Sequence, residues 1–319
     1  MSGKVLLGDL SSGSYVQLAL ADAGQRPGVV QTYACGSLDD FEGAVADFLA
    51  EHENPRLEGG AFSTSGWDMD GQIDLVHFGF TLKRSRLTHL LNVPGVKIVN
   101  NFVAEALAIP ILEAHERQHI CGQEGLPGHV VAVIGPTTGL GGAVLSPNGR
   151  GGWIASHCEG GHADFAPRTE LEIEILRVLM RKYGHVSREH AVSARGLREL
   201  WTCLATLEGS DDDTPSIEEI LALACIGNDR ATKTIRLQTE IYAGVASDFA
   251  LMTGARGGIY LSGSFLEELG PLFDPAVFAA RFYDKGRVSN YVRDIPVYRI
   301  TVPDSEILGV STLFDSDGE

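Results

Sequence analysis

A mixed α/β chain (α/β or α+β) in two lobes that face a cleft is the fold class the sequence predicts, and three observations predict it. Near the start a strand, a turn of small or hydroxyl residues and a second strand follow one another, and the same arrangement returns in the middle of the chain. Helix-period and strand-period segments are mixed between the two. The 319 residues, 44 % hydrophobic and 21 % charged, are ample for a sizeable core and fit neither a disordered nor a fibrous chain.

The first unit is an apolar run over 4–8 that stops at Asp9, the turn Ser11-Ser12-Gly13-Ser14, and a β-rich run over 15–21. Ser37 stands three residues before Asp40, a capping-box spacing, and Phe41, Ala44, Val45, Phe48 and Leu49 recur at helical intervals, which predicts an amphipathic helix over 38–52. Short strands are predicted at 61–63, 73–77 and 96–99, the last ending at Asn100-Asn101 before the helix-like 103–107. In the second unit a buried strand over 129–134 leads through Gly135-Pro136-Thr137-Thr138-Gly139-Leu140-Gly141-Gly142 to a strand reaching Leu145, a hairpin with an open, hydroxyl-rich tip. Helices follow over 170–183, closed by Gly184, and over 230–253, closed by Gly254, with a buried strand at 258–261. The acidic stretches 210–213 and 315–319 read as solvated loop and tail, and no internal repeat recurs at a fixed period.

With 25 Lys and Arg against 42 Asp and Glu, the net charge of −17 repels a phosphate backbone and an anionic membrane surface alike. Neither nucleic acid nor a membrane is an expected partner. No run approaches the roughly 18 uninterrupted apolar residues of a membrane helix. Asp9 interrupts the N-terminal apolar run too soon for a signal peptide, so a cytoplasmic protein is expected. Five scattered cysteines (Cys35, Cys121, Cys158, Cys203, Cys225) without a CxxC pair point to reduced thiols.

Three constellations carry chemistry. The glycine-rich turn 135–142 is ambiguous alone, since tight hairpins use glycine for positive φ with no ligand present. Thr137-Thr138 between the glycines adds hydroxyl donors to exposed backbone N–H groups, which suits a phosphate. In Cys158-Glu159-Gly160-Gly161-His162, the glycine pair lets Glu159 and His162 point into one space, an acceptor beside a donor-acceptor for the hydroxyls of a sugar. A metal on His157, Cys158 and His162 competes, but that spacing matches no zinc pattern. His185, Glu189 and His190 cluster after Gly184, and Glu189 is a further candidate acceptor.

Gly8-Asp9, Asn100-Asn101-Phe102, the run from Gly135 to Gly141, Glu159-Gly160-Gly161-His162 with Asp164-Phe165-Ala166-Pro167-Arg168, Gly184-His185-Val186-Ser187, and Ile295-Pro296-Val297-Tyr298 followed by Leu308-Gly309 together resemble the bacterial glucokinase family. The likeness runs from the first strand nearly to the last residue, and the block from Glu159 to Arg168 is its most specific piece. It implies a two-lobed actin-like ATPase fold of the hexokinase and ribonuclease H type with a central cleft, the small lobe at 1–110 with 300–319 and the large lobe at 111–299. It also implies ATP with Mg2+ as donor, a hexose, glucose, as acceptor, a place in glycolysis, and a homodimer. Carried over by residue, Asn100, Glu159, His162 and Glu189 resemble the sugar ligands. Gly135, Thr137, Thr138 and Gly139 match the second phosphate loop, and Asp9 and Gly13 fall in the first, beside the metal-bound phosphates.

Four departures stand out. Where the family has Asn-Asp-Phe, this chain has Asn100-Asn101-Phe102, so the catalytic position for the general base holds an amide with no useful basicity. Base assistance is worth about 10²- to 10⁴-fold, or about 3 to 5 kcal/mol of barrier. The first phosphate loop reads Ser11-Ser12-Gly13-Ser14 in place of Gly-Gly-Thr-Asn; Ser-Gly-x-Gly-Leu, near the nucleotide base in the family, reads Ser193-Ala194-Arg195-Gly196-Leu197; and a glycine pair reads Ser262-Gly263-Ser264. Glu159, His162 and Glu189 are untouched. Three readings follow: a working glucokinase in which another acid or a water replaces the base, a catalytically weak or inactive sugar binder that reports to a partner, and a kinase for a different acceptor.

Overall fold

The computed structural model describes residues 3–66, 68–210 and 212–314, so the predicted acidic tail lies outside the described residues. Two compact units divide the chain: Met1–Glu116 with Asn148–Ala155 and Thr301–Glu319, and Arg117–Pro147 with Ser156–Ile300.

In the first unit, β1 (Lys4–Leu10), β2 (Tyr15–Asp22), β3 (Gln31–Ala34), β4 (Leu57–Thr64) and β8 (Val96–Asn100) form a sheet ordered β3-β2-β1-β4-β8. β1 is antiparallel to β2 and parallel to β4, which is parallel to β8. The register places Leu10 beside Thr64 and Thr64 beside Asn100, so the carboxyl ends of the parallel strands share one edge. A separate small sheet holds β5 (Asp68–Met69), β6 (Gln72–Leu75) and β7 (Phe80–Lys83). The helix Leu38–Glu51 begins where its spacing predicts: Ser37 Oγ accepts from Asp40 N at 3.1 Å, while the Asp40 carboxylate reaches back to Gly36 N. Its apolar stripe, Phe41, Ala44, Val45 and Phe48, is buried in one core cluster with Phe62 of β4. The helices Asn101–Ala108 and Ser305–Ser311 meet at Gly309, where a Cβ would come within 1.7 Å of the Ala104 carbonyl oxygen.

A second sheet holds β9 (Arg117–Cys121), β10 (Val131–Pro136), β11 (Leu140–Pro147), the outer strand β12 (Trp153–Cys158), β13 (Gly258–Leu261) and β14 (Val297–Ile300), in the order β12-β11-β10-β13-β14-β9. Its first five strands repeat the 3-2-1-4-5 order of the other sheet, a duplication with no counterpart in sequence period. The helix Asp229–Thr253, capped by Asn228 and closed by left-handed Gly254, buries one side in this core, and Tyr242 donates its hydroxyl to the Ile134 carbonyl at 2.7 Å.

Several boundaries differ from expectation. β1 runs through Asp9 to Leu10, because Asp9 is laddered between Gln17 and Ser63 and its polarity does not end the strand. β6 stops at Leu75 and β10 starts at Val131. The hairpin tip is closed: Pro136 pairs with Leu140, and Thr137 N donates to the Gly139 carbonyl at 2.8 Å. None of Gly135, Gly139, Gly141 and Gly142 has positive φ, and Gly135 is held to glycine by space. All five cysteines are unpaired. Among the described residues no helix is long and apolar enough to cross a membrane.

Candidate active site

The carboxyl edge of the first sheet gathers Asp9, Gly13, Asn100 and Asn101, where ligands of open parallel sheets bind. Asp9, 3 % exposed, accepts from Ser11 Oγ at 2.7 Å through Oδ2, while its Oδ1 has no partner. Burial holds this carboxyl above the ordinary carboxylate range, and the like charge of Asp304 adds to that. The Ser63 hydroxyl lies close enough to ease the charge yet makes no well-formed hydrogen bond to it. A buried carboxylate with an unmet oxygen fits a cation carried in on phosphates. No group of three or more His, Cys, Asp or Glu among the described residues forms a metal site by itself.

The adjoining loop is folded onto itself. Ser12 Oγ donates to the Tyr15 carbonyl at 2.7 Å and accepts from Ser14 N at 3.2 Å and Tyr15 N at 3.0 Å, engaging N–H groups that a phosphate would need. Gly13 has φ 83°, and a Cβ there would lie 2.7 Å from His77 Cβ. At the end of β8, Asn100 is a helix N-cap, its Oδ1 accepting from Phe102 N at 2.9 Å. Asn101 is the first residue of that helix.

The second unit assembles most of its candidates. The turn Gly160–His162 is tight because Gly161 has no Cβ, which would stand 2.1 Å from the Leu140 carbonyl oxygen. Glu159 faces His157 at 3.6 Å and His162 at 3.7 Å, and His162 faces Glu189 at 3.7 Å. These separations allow ion pairing when the imidazoles are charged but exceed hydrogen-bond length. Glu189 Oε2 lies against Gly139, where a Cβ would approach to 2.8 Å, so the acid–imidazole row abuts the hairpin tip. At that tip the Thr138 N–H and hydroxyl have no hydrogen-bond partner among the described residues, whereas Gly139 N is held by Thr137 Oγ1 at 3.3 Å. Gly135 stands apart from the tip inside β10, and it is glycine because a Cβ would fall 2.0 Å from the Ser262 carbonyl oxygen.

The histidines beside Glu189 in sequence have partners of their own: His185 faces Asp164 at 3.3 Å, and His190 caps Ser187 and packs on Tyr183. Cys158 turns away from the flanking histidines, its Sγ directed to the Gly142 carbonyl at 3.5 Å. Sequence reasoning missed Ser63, which only the β1–β4 register brings to Asp9. Arg195, which the sequence shows only as part of a departure from Ser-Gly-x-Gly-Leu, donates through Nε to the Thr138 carbonyl at 3.0 Å, and its guanidinium stands 3.9 Å from Glu189.

A model of the glucokinase family matches residues 6–317. The chain belongs to that family. The glucokinase-like protein of Caulobacter vibrioides is 38 % identical over 305 residues, covering 95 % of this chain and 94 % of its own length. The glucokinase of Chromobacterium violaceum is 36 % identical over 315 residues, covering 96 % and 88 %. The crystal structure of a glucokinase from an Antarctic psychrotroph superposes with a TM-score of 0.88 at 24 % identity, covering 98 % and 99 %. The fold is that of the two-domain actin-like ATPases, and the chain is a glucokinase-like sugar kinase by family.

Proposed function

We propose that this member of the glucokinase family binds a hexose, glucose, through Asn100, Glu159, His162 and Glu189, and transfers phosphate to it only slowly. The observation that carries the reading is the intact Glu159–His162–Glu189 row in one unit set against Asn101 at the head of the helix Asn101–Ala108 in the other. Each sugar hydroxyl both gives and takes a hydrogen bond, and carboxylates beside an imidazole supply that pairing. Asn101 offers a carboxamide where the sugar's 6-hydroxyl would shed its proton.

ATP with Mg2+ is the donor in this reading. The Thr137–Gly139 turn and Asp9 would hold its phosphates and cation, and the bound pair would supply the phosphoryl group and screen its charge. Ser12 weakens that binding by engaging the loop's own N–H groups. By the same resemblance the chain is read as a cytoplasmic homodimer.

A second reading is favoured by Glu105. This buried carboxylate stands four residues beyond Asn101 on the same helix, hence on the same face, and would serve as the substitute base of a working kinase. Thermal melting tests binding: glucose at about 100 times its Kd should raise Tm by about 4 °C, while Mg-ATP alone adds little. A large shift with Mg-ATP and none with glucose would contradict the proposal, and loss of turnover in Glu105→Gln would favour the second reading.

A further inference from the structure

Within the second unit lies a cavity of about 50 Å3 whose charged lining is Arg168, Arg188, Arg281, Lys285, Glu172 and Asp248. It has room for more than the single water that about 10–15 Å3 admits. With Asp284, which pairs with Arg168 at its margin, four cations face three carboxylates and leave a surplus of one positive charge, in a chain of net charge −17.

Much of this charge is already matched. Lys285 pairs with Asp248, and the Arg168 guanidinium pairs with Asp284. Glu172, wholly buried, accepts through Oε2 from Arg281 Nη2 at 3.0 Å and from Arg168 N at 2.7 Å. Three groups remain. Arg188 is 9 % exposed, and its guanidinium hydrogen-bonds to no described residue. Arg281 Nε and Glu172 Oε1 are both buried without a partner. Two donors carrying positive charge therefore stand with one bare acceptor around a space larger than a water. Water would satisfy the hydrogen bonds but leave the surplus charge unbalanced.

We propose that this cavity is a binding site for a small protonated oxyanion, hydrogen phosphate. Its charged oxygens accept from Arg281 Nε and the Arg188 guanidinium, while its P–OH donates to Glu172 Oε1. Sulfate matches the size and charge but carries no proton, so it would set an oxygen against the Glu172 carboxylate. The small volume selects the free ion over a phosphate group borne on a sugar or nucleotide. This inference stands on the second unit alone and does not depend on the sugar-kinase reading.

The test is thermal melting at pH 7.5 in phosphate or sulfate at matched ionic strength. About 10 mM phosphate should raise Tm by about 3 °C, with sulfate giving at most a third of that. Arg188→Gln should abolish the phosphate shift, and Glu172→Gln, whose amide donates to an oxyanion, should reverse the preference toward sulfate. Thr138→Ala should leave the shift intact, which separates this site from the hairpin tip. The proposal is overturned by equal shifts from the two anions, by no phosphate shift in the unmodified chain, or by a shift kept in Arg188→Gln and lost in Thr138→Ala. A phosphate monoester such as glycerol phosphate matching free phosphate would overturn the choice of the free ion. The comparison of anions on the unmodified chain decides the matter even where a variant fails to fold.

Discussion

Asp9 sits in β1 with one oxygen held by Ser11 and the other bare, so the folded chain carries a carboxylate that burial disfavours. Its titration in the folded state lies above the ordinary value of 3.8. Below that value the group is protonated whether the chain is folded or not, and burial costs nothing electrostatic. As pH rises past it, the unfolded chain ionises first and folding loses stability, the full loss being reached above the raised value. Asp9→Asn should therefore melt higher than the unmodified chain at pH 7.5, with the gain shrinking toward zero near pH 4, while losing affinity for Mg-ATP. Thermal melts across that range check it, and a lower Tm at pH 7.5 would contradict it. The position was legible from its place before a small-residue turn. Ser63 was not, because only strand register brings a residue so far along the chain beside it.

At the scale of elements, the glycine-rich and serine-rich turns show where pattern alone misleads. Gly135 and Gly161 have no left-handed backbone, yet each is required by a backbone carbonyl, of Ser262 and Leu140, that leaves no room for a Cβ, whereas at Gly139 only the flexible end of Glu189 stands close. The helices Leu38–Glu51 and Asp229–Thr253 were readable to within a residue or two, since Ser37 before the first and Gly254 after the second act locally. Edge strands such as Arg117–Cys121 were not, because they owe their form to a distant partner, here Val297–Ile300. In the first loop, Ser12 binds the N–H groups of Ser14 and Tyr15. Ser12→Gly should release both and lower the KM for ATP by about fivefold, the worth of about one hydrogen bond. Steady-state kinetics or nucleotide titration checks this, and an unchanged or raised KM would show that Ser12 does not limit nucleotide binding.

For the whole molecule, the two turn units visible in the sequence mark two sheets of the same 3-2-1-4-5 order, each followed by strand-end segments that carry chemistry. Chemistry-bearing segments such as 159–168 were legible because a short turn fixes Glu159 against His162, whereas their approach to Glu189 and Gly139 depends on how the second sheet and its helices pack. The family explains this arrangement, and the proposed slow transfer rests on Asn101 standing at the position of the general base. Radiometric transfer from ATP across a panel of hexoses, run for the unmodified chain beside Asn101→Asp, tests the account most directly. The account predicts slow transfer to glucose and a rise of about 10²- to 10⁴-fold in kcat for Asn101→Asp. Brisk turnover in the unmodified chain, left unchanged by that substitution, would contradict it.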